Sequence, residues 1–174
     1  MKKKFILEKS NEKVKDYFSM NYKNTTEKIN FCLKRANDLI ENEFYGSALT
    51  ISFTALELII RNLYLKPLVR GTFISNDWAE IIEEYIFSNI EGKSKREQNL
   101  LKDILKQWDF YLAEINIPKG DQLWESIKNT KEVRNEFVHN ACEVTKDNAE
   151  VSIECAKVLL QIIEELIDNL DITL

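Results

Sequence analysis

Hydrophobic positions set the frame. From Thr25 onward, Ile29, Cys32, Leu33, Ala36, Leu39 and Ile40 recur at steps of three and four, which predicts an amphipathic helix ending near Asn42. Thr25-Thr26-Glu27 offers it N-cap hydroxyls and first-turn acidity. Upstream, Lys9 to Tyr22 is polar with scattered aromatics (Tyr17, Phe18, Tyr22) and predicts a short or frayed helix. The stretch Tyr45 to Leu65 differs, because Ala48, Leu49, Ile51, Phe53, Ala55, Leu56, Leu58, Ile59, Ile60, Leu63 and Tyr64 leave almost no polar face. A helix apolar all round is covered on several sides, so this one is central. Glu57 and Arg61 are its charged exceptions, four apart, a spacing that gives an edge pair of about 0.2–0.5 kcal/mol. Pro67 is expected to end it, with a loop from Lys66 to Ser75.

Asn76-Asp77-Trp78 then starts a helix through Ile90, Glu91 to Arg96 is a charged turn, and a helix from about Arg96 to Ile115 carries Leu100, Leu101, Ile104, Leu105, Trp108, Tyr111 and Leu112. Pro118-Lys119-Gly120 closes that excursion. A further helix runs from Asp121 to about Asn140. The last runs from Thr145, with Asn148 and Glu150 behind it as N-terminal signals, to Leu170. Four glycines and two prolines are too few turn residues for a sandwich or barrel. The expectation is an all-α helical bundle forming one domain over residues 1–174, with a two-helix excursion at about 74–118.

Composition narrows the function classes. A net charge of −5 argues against a broad basic surface, so any polyanion site must be small. Cys32, Cys142 and Cys155 stand apart in no metal-binding pattern and read as buried thiols of a reducing compartment. One histidine nearly excludes a His-based metal site. The basic start Met1-Lys2-Lys3-Lys4 meets Glu8 after only three apolar residues, and no apolar run of about 18 exists. A cytoplasmic protein with no membrane partner is therefore expected.

That one histidine, His139, lies in Arg134-Asn135-Glu136-Phe137-Val138-His139-Asn140. Leu123, Ile127, Thr130, Phe137 and Ala141 mark the buried stripe of this helix, and Arg134 falls on the same stripe. A guanidinium facing the core needs an acid, and Glu57 on the central helix is the expected partner. Asn135 and His139 share a second face. Residues five apart on an ideal helix point about 140° apart, so Arg134 and His139 of one chain do not converge unless the helix ends or bends at the motif. Two copies meeting across a two-fold axis would bring two Arg/His sets into one cleft.

The six residues from Arg134 to His139, with the polar Asn135 directly after the arginine, resemble the R-x4-6-H motif of the HEPN superfamily (higher eukaryotes and prokaryotes nucleotide-binding domains). Ala48 to Leu65 with Glu57 inside it is similar to that family's long acidic core helix, and Thr145 to Leu170 to its closing helix. The resemblance implies a homodimer that cuts RNA without metal or cofactor, as toxins and phage-defence effectors do, with a nucleotidyltransferase-like antitoxin as a partner in some systems. It makes Arg134 and His139 catalytic, with Asn135 and Glu57 in support. Two other readings stand beside it. One is a non-catalytic HEPN module that dimerises and binds a nucleotide, RNA or a partner protein, favoured by the acidic charge and by Glu132 and Glu136 flanking the motif. The other is an unrelated helical scaffold whose His139 caps a helix C-terminus.

Overall fold

The computed structural model of the protein describes residues 2–72, 81, 115–118 and 121–169. The described residues are all-α. The helices expected over 76–90 and 96–115, and hence most of the 74–118 excursion, lie outside them.

The first helix, α1 (Lys2–Glu41), is one continuous rod of 40 residues, not a short helix followed by a second beginning at Thr25. Its buried positions explain why. Val14, Phe18, Ile29, Leu33 and Ala36 form a single stripe, Phe18 and Ile29 being separated by three full turns, with Tyr22 packed between them. The threonines cap nothing: Thr26 Oγ1 hydrogen-bonds back to the carbonyls of Tyr22 (2.9 Å) and Lys23 (3.0 Å), a bond that lets a hydroxyl residue sit inside a helix. The chain reverses at Glu43, whose φ of 63° is left-handed. The N–H groups of Glu43 and Phe44 return to the carbonyls of Ile40 and Leu39 (3.0 and 2.9 Å), so two of the last acceptors of α1 are satisfied.

α2 (Tyr45–Leu58) is the central helix that its all-round apolarity predicts. It does not stop at Pro67. A π-helical segment (Ile59–Leu65) leads directly into α3 (Lys66–Thr72). Proline has no N–H, and its ring crowds the carbonyl four residues back, which for Pro67 is that of Leu63. Lys66 N–H bonds the carbonyl of Arg61, five residues back, so the ladder has slipped by one residue before the ring arrives. The loop expected from Lys66 is therefore helical as far as Thr72. Among the described residues, Tyr45–Gly71 is the one helical stretch long and apolar enough to cross a membrane, and over half of its most apolar window is buried inside the protein, as in a core helix.

α4 (Leu123–Asn140) and α5 (Lys146–Asn169) complete the bundle. Ahead of α4, Ile117 N–H bonds Asp121 O and Leu123 N–H bonds Ile115 O, both at 2.8 Å, so the chain enters α4 through a tight reversal and the helix begins two residues later than Asp121. Thr145 is the N-cap of α5 as expected: its Oγ1 accepts from Asn148 N–H (3.2 Å) while Asn148 Oδ1 accepts from Thr145 N–H (3.1 Å). α2 crosses α5 through small residues, Ala48, Ser52 and Ala55 on one side and Ala149, Ser152 and Ala156 on the other, all fully buried. Ser52 Oγ donates to Ser152 Oγ at 2.7 Å, so the buried hydroxyls satisfy each other at the crossing.

Of the cysteines only Cys155 is buried, and burial pushes its thiol up to about 12; Cys32 is half-buried and Cys142 exposed, contrary to the expectation for all three. A titrating contact also joins α1 to α5, where Tyr22 Oη donates to Glu164 Oε1 at 3.2 Å. Burial, then the Glu164 charge, pushes this phenol from 10.0 up to about 12. The folded state thus holds the proton more tightly than the unfolded chain. Its contribution is fully present below pH 10.0 and lost as pH rises towards about 12. In Tyr22→Phe, chemical denaturation between these pH values is expected to show a shallower alkaline loss of stability than wild type. An unchanged slope would remove Tyr22 as its source.

Candidate functional site

The motif occupies the C-terminal half of α4, and packing decides where each side chain goes. Leu123, Ile127 and Thr130 are buried on the stripe read from the sequence, with Trp124 and Ser126 buried beside them, while Phe137 is half-buried and Ala141, expected on the same stripe, is exposed past the helix end. Beyond them Val133 and Phe137 pack on a satellite cluster of Ala48, Leu49, Val144 and Ala149, together with Leu39, Ile40 and Tyr45. The end of the motif helix is thereby fixed to the α1–α2 turn and to the start of α5. Gly46 makes this possible. A Cβ added there would fall within the ring of Phe137, overlapping its Cε2 and Cζ and lying 2.9 Å from Cδ2.

Arg134 is half-buried at its expected place on the stripe. Its partners are not the expected ones. Nη1 donates to Asn135 Oδ1 at 3.0 Å, and the guanidinium carbon stands 5.8 Å from the centroid of the Phe53 ring. An ion pair with Glu57 is not among its contacts; Glu57, half-buried on α2 one turn beyond Phe53, has interactions of its own. The physical reason is that an aromatic face attracts a cation without the cost of desolvating a carboxylate. Phe53 gave no signal in the sequence, being one apolar residue in an apolar helix. Arg134 Nε is buried with no hydrogen-bond partner, so the guanidinium fork is incompletely satisfied.

His139 lies in the last turn of α4 and is exposed. Asn135, four residues earlier, is half-buried and shares its face. No break in α4 redirects either residue, and within one chain Arg134 and His139 diverge as helix geometry demands. Val138 is 47% exposed beside them. Glu136 is exposed, and one of its oxygens accepts from Asn140 Nδ2 (2.7 Å) and Cys142 Sγ (3.8 Å).

The helix stops because Ala141 turns left-handed (φ 53°), and the N–H groups of Ala141 and Cys142 close onto the carbonyls of Phe137 (3.0 Å) and Glu136 (3.4 Å). An L-residue in that conformation costs roughly 1–2 kcal/mol, while glycine loses about 0.4–1 kcal/mol more entropy on folding. The first effect is larger. Ala141→Gly is therefore expected to raise stability by about 0.5–1 kcal/mol in denaturant melts, and a loss of stability would count against this cap.

Two nearby cations are engaged locally: Lys128 Nζ with Glu125 (2.7 Å) and Lys146 Nζ with Glu150 (3.5 Å). Such exposed pairs contribute about 0–1 kcal/mol and are readily exchanged for a polyanion. Among the described residues, no group of three or more His, Cys, Asp or Glu side chains gathers as metal ligands. A surface pocket of about 270 Å³ between α1 and α3, bordered by Lys13, Tyr17 and Arg70, contains no motif residue. Searches of family models, curated proteins and solved structures return no match to the chain.

Proposed function

We propose that the chain is a metal-independent endoribonuclease of the HEPN type, a cytoplasmic toxin or phage-defence effector that acts as a homodimer. The observation that carries this reading is the Arg134-Asn135…His139 constellation on one unbroken helix, with His139 exposed and Arg134 bonded to Asn135. His139 takes the proton from a ribose 2′-hydroxyl or gives one to the leaving 5′-oxygen. The 2′-oxygen attacks phosphorus, the bond to the 5′-oxygen breaks, and the guanidinium of Arg134 offsets the charge that builds on the phosphate. The products are a 2′,3′-cyclic phosphate, or the 3′-phosphate after its hydrolysis, and a 5′-hydroxyl. Arg134 is held by Asn135 and Phe53, so a role for Glu57 is indirect, through α2. Divergence of Arg134 from His139 within one chain supports a site completed by a second copy. A nucleotidyltransferase-like antitoxin is the partner such a toxin would need.

The test is incubation of the purified chain with end-labelled RNA in chelator-containing buffer. Cyclic-phosphate ends at discrete positions support the reading, and intact RNA with folded dimeric protein overturns it. Exposed Glu132 and Glu136 favour the second reading, a HEPN module that dimerises and binds a nucleotide or partner protein without cutting.

A further inference from the structure

On the outer face of α1, Phe31 is 71% exposed, whereas Tyr17 and Phe18 of the same helix are buried and Tyr22 is half-buried. Residues three and four apart on a helix are surface neighbours, about 5–6 Å between Cβ atoms. For Phe31 these neighbours are Lys28, Lys34, Arg35 and Glu27, all exposed. Three cations and one carboxylate thus surround an open aromatic ring in a chain whose net charge is −5. None of the three cations has a hydrogen bond or ion pair among the described residues. The next acid along the face, Asp38, is a full two turns from Phe31 and only half-exposed. α1 packs on α2, α3 and α5, and its end at Leu39 and Ile40 shares the satellite cluster with Val133 and Phe137 of the motif helix; Phe31 lies about two turns before that end and outside the cluster.

We propose that Phe31, with Lys28, Lys34 and Arg35, is an accessory site for single-stranded RNA. The inference rests on the ribonuclease reading for its choice of polyanion. An unpaired base stacks on the Phe31 ring while the three cations contact the phosphates on either side of it, the combination by which single strands are held without sequence preference. Local positive charge against an acidic whole explains how such a chain approaches RNA at all. The site positions a strand and does no chemistry.

The experiment measures fluorescence anisotropy of a labelled, unstructured RNA of about 16 nucleotides with the full-length His139→Ala chain, which keeps the strand intact. Adding Phe31→Ala is expected to weaken binding about 5- to 150-fold, and Phe31→Trp to preserve it. Removing Lys34 and Arg35 together should lower the log–log salt slope by about 1.4, roughly 0.7 per lost phosphate contact. The same RNA annealed into a duplex has no open base and should bind independently of Phe31. Equal affinity for Phe31→Ala and its parent overturns the site, as does a dimer that dissociates on Phe31→Ala in gel filtration, since the ring would then cover a second copy. The two readings fail separately. Cleavage unaffected by Phe31→Ala, in a chain whose RNA binding is equally unaffected, removes the accessory site alone. Phe31-dependent binding in a chain that never cuts RNA removes the nuclease alone.

Discussion

His139→Ala is expected to lower RNA cleavage by about 10²–10⁴-fold, the range for loss of a general acid or base, with the thermal midpoint nearly unchanged. The second half of that expectation follows from exposure: the imidazole fills no core space, and surface substitutions stay within about 0.5 kcal/mol. Arg134 gives a less clean experiment. Arg134→Ala removes the contact with Phe53 and the hydrogen bond to Asn135 as well as the charge, so lost activity and lost packing arrive together. Arg134→Lys keeps the charge but gives up the planar fork. It is expected to fold and to be impaired, which separates phosphate recognition from simple charge. Cleavage rates measured alongside denaturant midpoints check all three. Full activity in folded His139→Ala would leave the motif without a catalytic role.

Gly46→Val carries the largest expected cost to the scaffold. Its branched side chain would occupy the volume of the Phe137 ring, so the half-buried ring would have to give up its packing on the satellite cluster to make room. Overpacking of this kind costs about 1–3 kcal/mol. The better helix propensity of a non-glycine residue returns only about 0.5–1 kcal/mol, so destabilisation wins. The diagnostic control is Phe137→Ala. Combined with Gly46→Val it should cost less than the sum of the two single changes, with a coupling of about 0.5–3 kcal/mol for neighbours in contact. Additive costs would mean that the two residues do not meet. Because Phe137 lies between Arg134 and His139, Gly46→Val should also depress cleavage with every candidate catalytic residue intact.

Much of this was legible in the chain. The all-round apolarity of Tyr45 to Leu65 and the stripe of Leu123, Ile127 and Thr130 predicted the central and motif helices, since burial over many residues outweighs local detail. Thr145 with Asn148 gave the start of α5. What failed was punctuation. Thr25-Thr26 resembles an N-cap yet lies inside α1, because continuing the stripe through Phe18 and Ile29 buries more than a break would. Pro67 resembles a stop, yet a one-residue slip in the hydrogen-bond ladder absorbs it. At the site, the need of Arg134 for a partner was readable but the partner was not. Charge logic selects Glu57, whereas the fold supplies Phe53, and no pattern in an apolar helix marks which aromatic will meet a cation. Gly46 was equally silent, its value lying in a contact with a residue more than ninety positions away, a tertiary relation that no local pattern encodes.

The central claim is that cleavage uses Arg134 of one copy with His139 of another, because α4 points them apart within a single chain. Mixing Arg134→Ala with His139→Ala, each inactive alone, tests it most directly. After subunit exchange, the mixed dimer holds one intact Arg134 and one intact His139 on opposite chains, and cleavage is expected to return to a measurable fraction of wild type. Mixed dimers that form yet remain as inactive as either parent would contradict a site shared between two chains.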